Sequence, residues 1–144
     1  MKRKATAIWQ GTGLEGKGTL TSTSGVLKNT PYSFSTRFKN EEGREGTNPE
    51  ELIAAAHAGC FAMALSFGLT GAGFTPAELK VKAAVGIEKI GDHFEITSIH
   101  LDLSATIPGI TEEKFHEIAD GAKANCPVSK ALKAVEITLE ARLV

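Results

Sequence analysis

The chain has 144 residues, 42% hydrophobic and 23% charged, with 16 Lys plus Arg against 17 Asp plus Glu and only two Cys. That is the profile of one ordinary globular domain with enough apolar residues for a core, which excludes a disordered chain. No run approaches about 18 consecutive apolar residues, so a membrane span is not expected, and a net charge of -1 gives no electrostatic footprint for nucleic acid.

The start, Met1-Lys2-Arg3-Lys4, is basic, but no apolar stretch follows to make a secretory signal, so a cytoplasmic location is expected. From Lys2 to Phe38 the residues alternate and are rich in Thr and Ser, with turn signals at Gly11 to Gly18, Ser24-Gly25 and Asn29-Thr30-Pro31. This predicts a run of antiparallel strands. Tyr32 to Phe38 reads as the clearest of them, with aromatics at 32, 34 and 38 on one face and Arg37 on the other. A polar loop from Lys39 to Gly46 precedes Thr47-Asn48-Pro49-Glu50-Glu51, where a capping residue, a proline and early acids announce a helix.

That helix is expected from Pro49 to about Leu69. Its middle is apolar and small on nearly every side, which predicts a central, buried helix able to approach another helix or subunit closely. Leu79 to Ile90 and His93 to Ile107 read as a hairpin around Gly91-Asp92. Thr111 then caps a helix, with Ile110 and Phe115 as a hydrophobic staple and Phe115, Ile118, Ala119 and Ala122 as its buried stripe. Asn125-Cys126-Pro127 ends it, because the residue before proline avoids helical geometry. A short helix from Pro127 to about Lys133 and a strand from Val135 to Leu143 follow. With no internal repeat or linker, residues 1–144 read as a single α+β domain.

Gly11 to Gly16 matches a GxGxxG pattern, and Gly11 to Lys17 matches most of a P-loop. Both motifs need a helix immediately afterwards, whereas Gly18 to Ser24 is strand-like, so a glycine-rich hairpin turn is the better reading. A metal site would draw on His57, His93, His100, His116, Cys60 and Cys126, but the one close pair, His57 and Cys60, has no second pair to complete a tetrahedral set. A cysteine hydrolase on Cys60 and His57 lacks an identifiable orienting acid or amide. His57 therefore reads as a packed residue of a small-residue helix.

The thiols can be buried and inert, or reactive. Cys126 at a helix start would be the better thiolate; Cys60, desolvated in mid-helix, would be raised unless a cation such as Arg37 is paired with it. These arguments do not choose the nucleophile.

Asn48-Pro49-Glu50-Glu51-Leu52, Ala58-Gly59-Cys60-Phe61 ten residues on, and Asn125-Cys126-Pro127-Val128-Ser129 together resemble the OsmC/Ohr family of thiol peroxidases, most closely its OsmC branch. The resemblance spans essentially the whole chain. It implies an intertwined α+β homodimer, antiparallel sheets around long central helices, with two active sites at the subunit interface. Cys60 is implied as the peroxidatic cysteine, Cys126 as the resolving one, Arg37 as the cation that activates Cys60, and Glu50 as the acid that orients Arg37. The implied substrates are hydroperoxides, organic ones preferred, with no metal or bound organic cofactor. The implied reductant is an external dithiol, a lipoyl-type dithiol being one option. Stress defence is the implied role, and a redox-sensing or ligand-binding protein without turnover is the alternative.

Glu50 and Cys60 are ten residues apart, which in a continuous helix separates them by about 15 Å along the axis. Either Glu50 reaches the site from a partner subunit, or Arg37 spans between them across a broken helix. Phe38, Phe61 and Met63 are the suspects for a substrate pocket.

Overall fold

The structure is a computed structural model that describes residues 1–39 and 45–144. Most of the expected Lys39 to Gly46 loop lies outside the described residues. The chain divides into two compact units, Met1–Leu52 and Ile53–Val144.

The first unit holds a three-stranded antiparallel sheet in the order β1-β2-β3, built from β1 (Ala5–Gln10), β2 (Lys17–Ser22) and β3 (Thr30–Ser33). Gln10 pairs with Lys17, so the GxGxxG stretch is the loop of a hairpin and a strand follows it, as the sequence suggests. Gly11 takes φ +94°, a region open mainly to glycine, and a Cβ on Gly16 would collide with Thr12 O.

The expected strand from Tyr32 to Phe38 stops at Ser33. There the Ser33 hydroxyl accepts from the Thr36 N–H at 3.1 Å while the Thr36 hydroxyl accepts from the Ser33 N–H at 2.8 Å. This reciprocal cap turns the chain into a short helix, α1 (Phe34–Phe38). Phe34 and Phe38 then share a helical face, their ring centroids 4.9 Å apart. Positions 34 and 38 satisfy a period of two and an i,i+4 spacing equally well, which is why the alternation misled.

The second unit is a three-stranded sheet in the order β4-β5-β6, with β4 (Glu78–Ile90), β5 (His93–Thr106) and β6 (Glu136–Leu143). The β4-β5 hairpin turns at Gly91, φ +61°, with Ile90 opposite His93. The sheet is mixed, because β6 runs parallel to β5. Parallel pairing needs a crossover, supplied by α3 (Glu112–Asn125) and α4 (Pro127–Ala131). Thr111 caps α3, its hydroxyl accepting from the Lys114 N–H, and Phe115, Ala119 and Ala122 are buried as the spacing predicts.

α2 (Pro49–Gly71) is unbroken. Its Phe61, Leu65 and Leu69 pack with Leu101, Leu103 and Phe115 in the core of the second unit, all fully buried. By length and composition alone α2 is apolar enough to cross a membrane, but this stripe makes it the core helix of the unit. Within one chain α2 is covered on one side only. Ala55, Ala56 and Gly59 are exposed on the other side, with Met63 at 63% and Phe67 at 74%. That face is apolar without being covered inside one chain.

Candidate active site

Cys60 follows the buried His57 by three residues on α2 and is half-buried, while Cys126 is fully buried at the α3-α4 junction. The Cys126 N–H bonds to Ala122 O at 2.9 Å and closes α3; Pro127 forbids its continuation, and Cys126 takes ψ 123° instead. This break aims the side chain back at α2. The two Sγ atoms lie 2.8 Å apart across 66 positions of sequence, and both thiols are free.

Their electrostatics differ. Burial pushes the Cys60 thiol up, and the hydrogen bond it shares with Cys126 pushes it further, against a smaller opposing effect of the Val128 backbone. Burial also pushes Cys126 up, but the shared bond with Cys60 and the Ser129 and Val128 groups outweigh it and hold Cys126 below its ordinary value. Within the second unit Cys126 is thus the more easily ionised thiol, as its place at a helix start suggests.

The first unit holds a pair of its own. Arg37 Nη2 donates to Glu50 Oε1 at 2.6 Å, and Arg37 Nε lies 3.2 Å from both carboxylate oxygens. The Glu50 side chain is only 9% exposed whereas that of Arg37 is 37% exposed, so the buried acid holds one edge of a guanidinium that still faces outward. The entry to α2 makes this possible. Asn48 Oδ1 accepts from the Glu51 N–H at 2.8 Å, and the Glu51 carboxylate accepts from the Thr47 hydroxyl at 2.6 Å, so Glu51 serves the helix start and Glu50 serves Arg37. Thr36 Oγ1 also donates to Thr47 O at 3.1 Å, tying α1 to that start. Beside Arg37 lies a hollow of about 120 Å³ lined by Trp9, Tyr32, Phe34, Phe38 and Pro49.

The structure therefore brings the expected residues together as two pairs, Cys60 with Cys126 and Arg37 with Glu50. The unbroken α2 removes a broken helix as the way to join Glu50 with Cys60. Of the pocket suspects, Phe38 lines the hollow, Phe61 is a core residue and Met63 belongs to the exposed apolar face. The histidines are dispersed: His93 pairs with Glu95, His100 with Thr138 and His116 with Glu112. Among the described residues no three His, Cys, Asp or Glu side chains gather as metal ligands.

Sequence reasoning missed one contact. His57 Nε2 and Ser129 Oγ are 2.8 Å apart, with His57 fully and Ser129 nearly fully buried. Ser129 stands three residues after Cys126, and His57 three before Cys60, so a shared spacing from each thiol was the available signal.

Residues 41–140 match the family model described as OsmC-like protein. The chain is 51% identical over 141 residues to the peroxiredoxin OsmC of Escherichia coli K12, covering 98% of this chain and 96% of that one. It is 32% identical over 99 residues to an organic hydroperoxide resistance protein of Xanthomonas axonopodis pv. citri, covering 67% of this chain and 68% of that one. The crystal structure of the organic hydroperoxide resistance protein OhrB of Bacillus subtilis superposes with a TM-score of 0.71 at 27% identity, covering 96% of this chain and 98% of that one.

Proposed function

The chain belongs to the OsmC-like protein family, and from that premise we propose that it is a thiol peroxidase that reduces hydroperoxides at Cys60 and resolves the product with Cys126. The observation that carries the assignment of residues is the 2.8 Å approach of the two free sulfurs. The Cys60 thiolate attacks the distal oxygen of ROOH, the O–O bond breaks, the alcohol leaves, and Cys60 becomes a sulfenic acid. Cys126 condenses with it, expelling water and forming a disulfide that an external dithiol, such as a lipoyl-type one, returns to two thiols.

Arg37 supplies what Cys60 lacks. Its fixed charge offsets the desolvation of the Cys60 thiolate and stabilises the departing alkoxide, while Glu50 holds the fork in place. The ten positions between Glu50 and Cys60 on a continuous α2, about 15 Å along the axis, support an Arg37-Glu50 pair that reaches a given Cys60 from a second copy of the chain. The uncovered apolar face of α2, with Met63 and Phe67, supports the intertwined homodimer this requires. On this reading residues 1–144 form one domain, completed by its partner. The aromatic hollow beside Arg37 suits the organic group of ROOH, so hydrogen peroxide is the poorer substrate. Two free cysteines that must be recycled fit a cytoplasmic setting, where dithiol reductants are maintained.

Mass spectrometry after one equivalent of an organic hydroperoxide tests the reading: a Cys60-Cys126 bridge is expected, and the Cys60→Ser variant should neither form it nor turn over with a dithiol. Turnover of Cys60→Ser at the parental rate would end the proposal.

A further inference from the structure

The peroxidase chemistry leaves His57 without a task, although it is fully buried and, among the described residues, its one hydrogen-bond partner is the uncharged Ser129. Burial pushes its pKa down, so the ring is neutral at physiological pH. Its Nε2 is 2.8 Å from Ser129 Oγ, and its Nδ1 has no hydrogen-bond partner among the described residues. A neutral imidazole carries one proton, and an orphaned buried N–H is rarer than an orphaned lone pair. The proton therefore belongs on Nε2, where it is donated to Ser129 Oγ. The Ser129 hydroxyl is then left with its own hydrogen to give, and Ser129 stands at the third position of α4, the helix whose N-cap is Cys126, where it helps to ionise that thiol.

We propose that His57 and Ser129 form a buried donor chain, His57 Nε2–H to Ser129 Oγ and Ser129 Oγ–H to Cys126 Sγ, that positions and stabilises the Cys126 thiolate. The inference rests on the reading of Cys126 as the resolving thiol and gives it a direction. In resolution the Cys126 thiolate forms the S–S bond with Cys60, the S–O bond of the sulfenic acid breaks, and the oxygen leaves with a proton as water. In reduction the thiolate of an external dithiol attacks the disulfide, and the better-stabilised thiolate departs faster. That leaving group is Cys126, and the accessible sulfur is Cys60, half-buried where Cys126 is fully buried. The S–S electron pair passes to Cys126, a mixed disulfide forms on Cys60, and the second thiol of the dithiol releases it. Stability of the leaving group and access of the attacker thus select the same sulfur.

The test separates this device from the peroxidase reading. Among the described residues, the groups that bear on the Cys126 thiol are Cys60 from α2, 2.8 Å away, and Ser129 and the Val128 backbone from α4, with His57 bonded to Ser129. In a Cys60→Ser background, Cys126 is titrated through the ultraviolet absorbance of its thiolate, which needs no turnover. Ser129→Ala and His57→Leu should each weaken ionisation about tenfold, a shift of about one pH unit, whereas Ser129→Thr and His57→Gln, which retain a donor, should keep most of it. An unchanged titration in Ser129→Ala, or an equal loss in all four variants, would overturn the donor chain. With Cys60 intact, Ser129→Ala should slow disulfide formation at least tenfold relative to sulfenic acid formation by tert-butyl hydroperoxide; equal slowing of both steps would also count against it. If the parent forms no sulfenic acid, the proposed function fails while the titration still decides the role of His57 and Ser129.

Discussion

Arg37 meets Glu50 edge-on, through Nε and Nη2 together, and the carboxylate that receives it is almost wholly buried while the guanidinium is not. A fork held on one edge presents its remaining charge in a fixed direction, which a lysine ammonium cannot do. Arg37→Lys should therefore slow sulfenic acid formation at Cys60 by about 10- to 100-fold despite the preserved charge, with Glu50→Gln intermediate. Stopped-flow single-turnover measurement with an organic hydroperoxide reads the step directly. Parental rates in both variants would remove the pair from the chemistry.

Complementation decides which subunit contributes the pair. Cys60→Ser and Arg37→Ala homodimers should both be inactive. A mixed dimer of the two, however, contains one site with an intact Cys60 and an intact Arg37 if they come from different chains. About half of the parental activity per mixed dimer is expected, and none if cation and thiol belong to one subunit.

The reciprocal cap between Ser33 and Thr36 sets the direction in which α1 leaves the sheet, and so the position of Arg37. Ser33→Ala should cost about 1 kcal/mol in denaturant unfolding. Peroxidase activity should fall along with stability, because α1 carries the cation. Loss of stability with a fully parental rate would show that Glu50 alone places Arg37.

Acid should destabilise the protein through His57. Its folded pKa lies below the ordinary value of 6.5, so the folded state binds the proton less readily than the unfolded chain. The stabilisation is complete above pH 6.5 and is lost progressively as pH falls below it. Urea midpoints across that window should drop with pH in the parent and flatten in His57→Gln. Parallel curves would assign the acid sensitivity to other groups.

Much of this arrangement is legible in the sequence, for local physical reasons. Asn48-Pro49-Glu50-Glu51 announces the start of α2, Thr111 with Ile110 and Phe115 fixes α3, and Gly91 fixes the hairpin, because caps, staples and tight turns are encoded within a few residues. The strand to α1 switch at Ser33 was hidden because Phe34 and Phe38 fit both periods, and only a pair of hydroxyls decides between them. What covers the outer side of α2 is not legible, because composition reports that a face is apolar, not what covers it. The parallel pairing of β6 with β5, and the contact of His57 with Ser129 across 72 positions, depend on the crossover through α3 and α4, which no local pattern records. For the thiols, spacing alone offered no pairing; the family motif supplied it, and the break at Cys126-Pro127 gives it a physical basis.

That break has a mechanical consequence. A bond between Cys60 and Cys126 would close a ring spanning 66 positions that encloses the β4-β5 hairpin and ties α2 to the crossover. On chain-entropy grounds such a closure is worth roughly 4 kcal/mol against unfolding. The oxidised protein is then a stapled molecule and the reduced one is not, so the position in the catalytic cycle is written into resistance to heat, and a melting curve reads the redox state without any substrate.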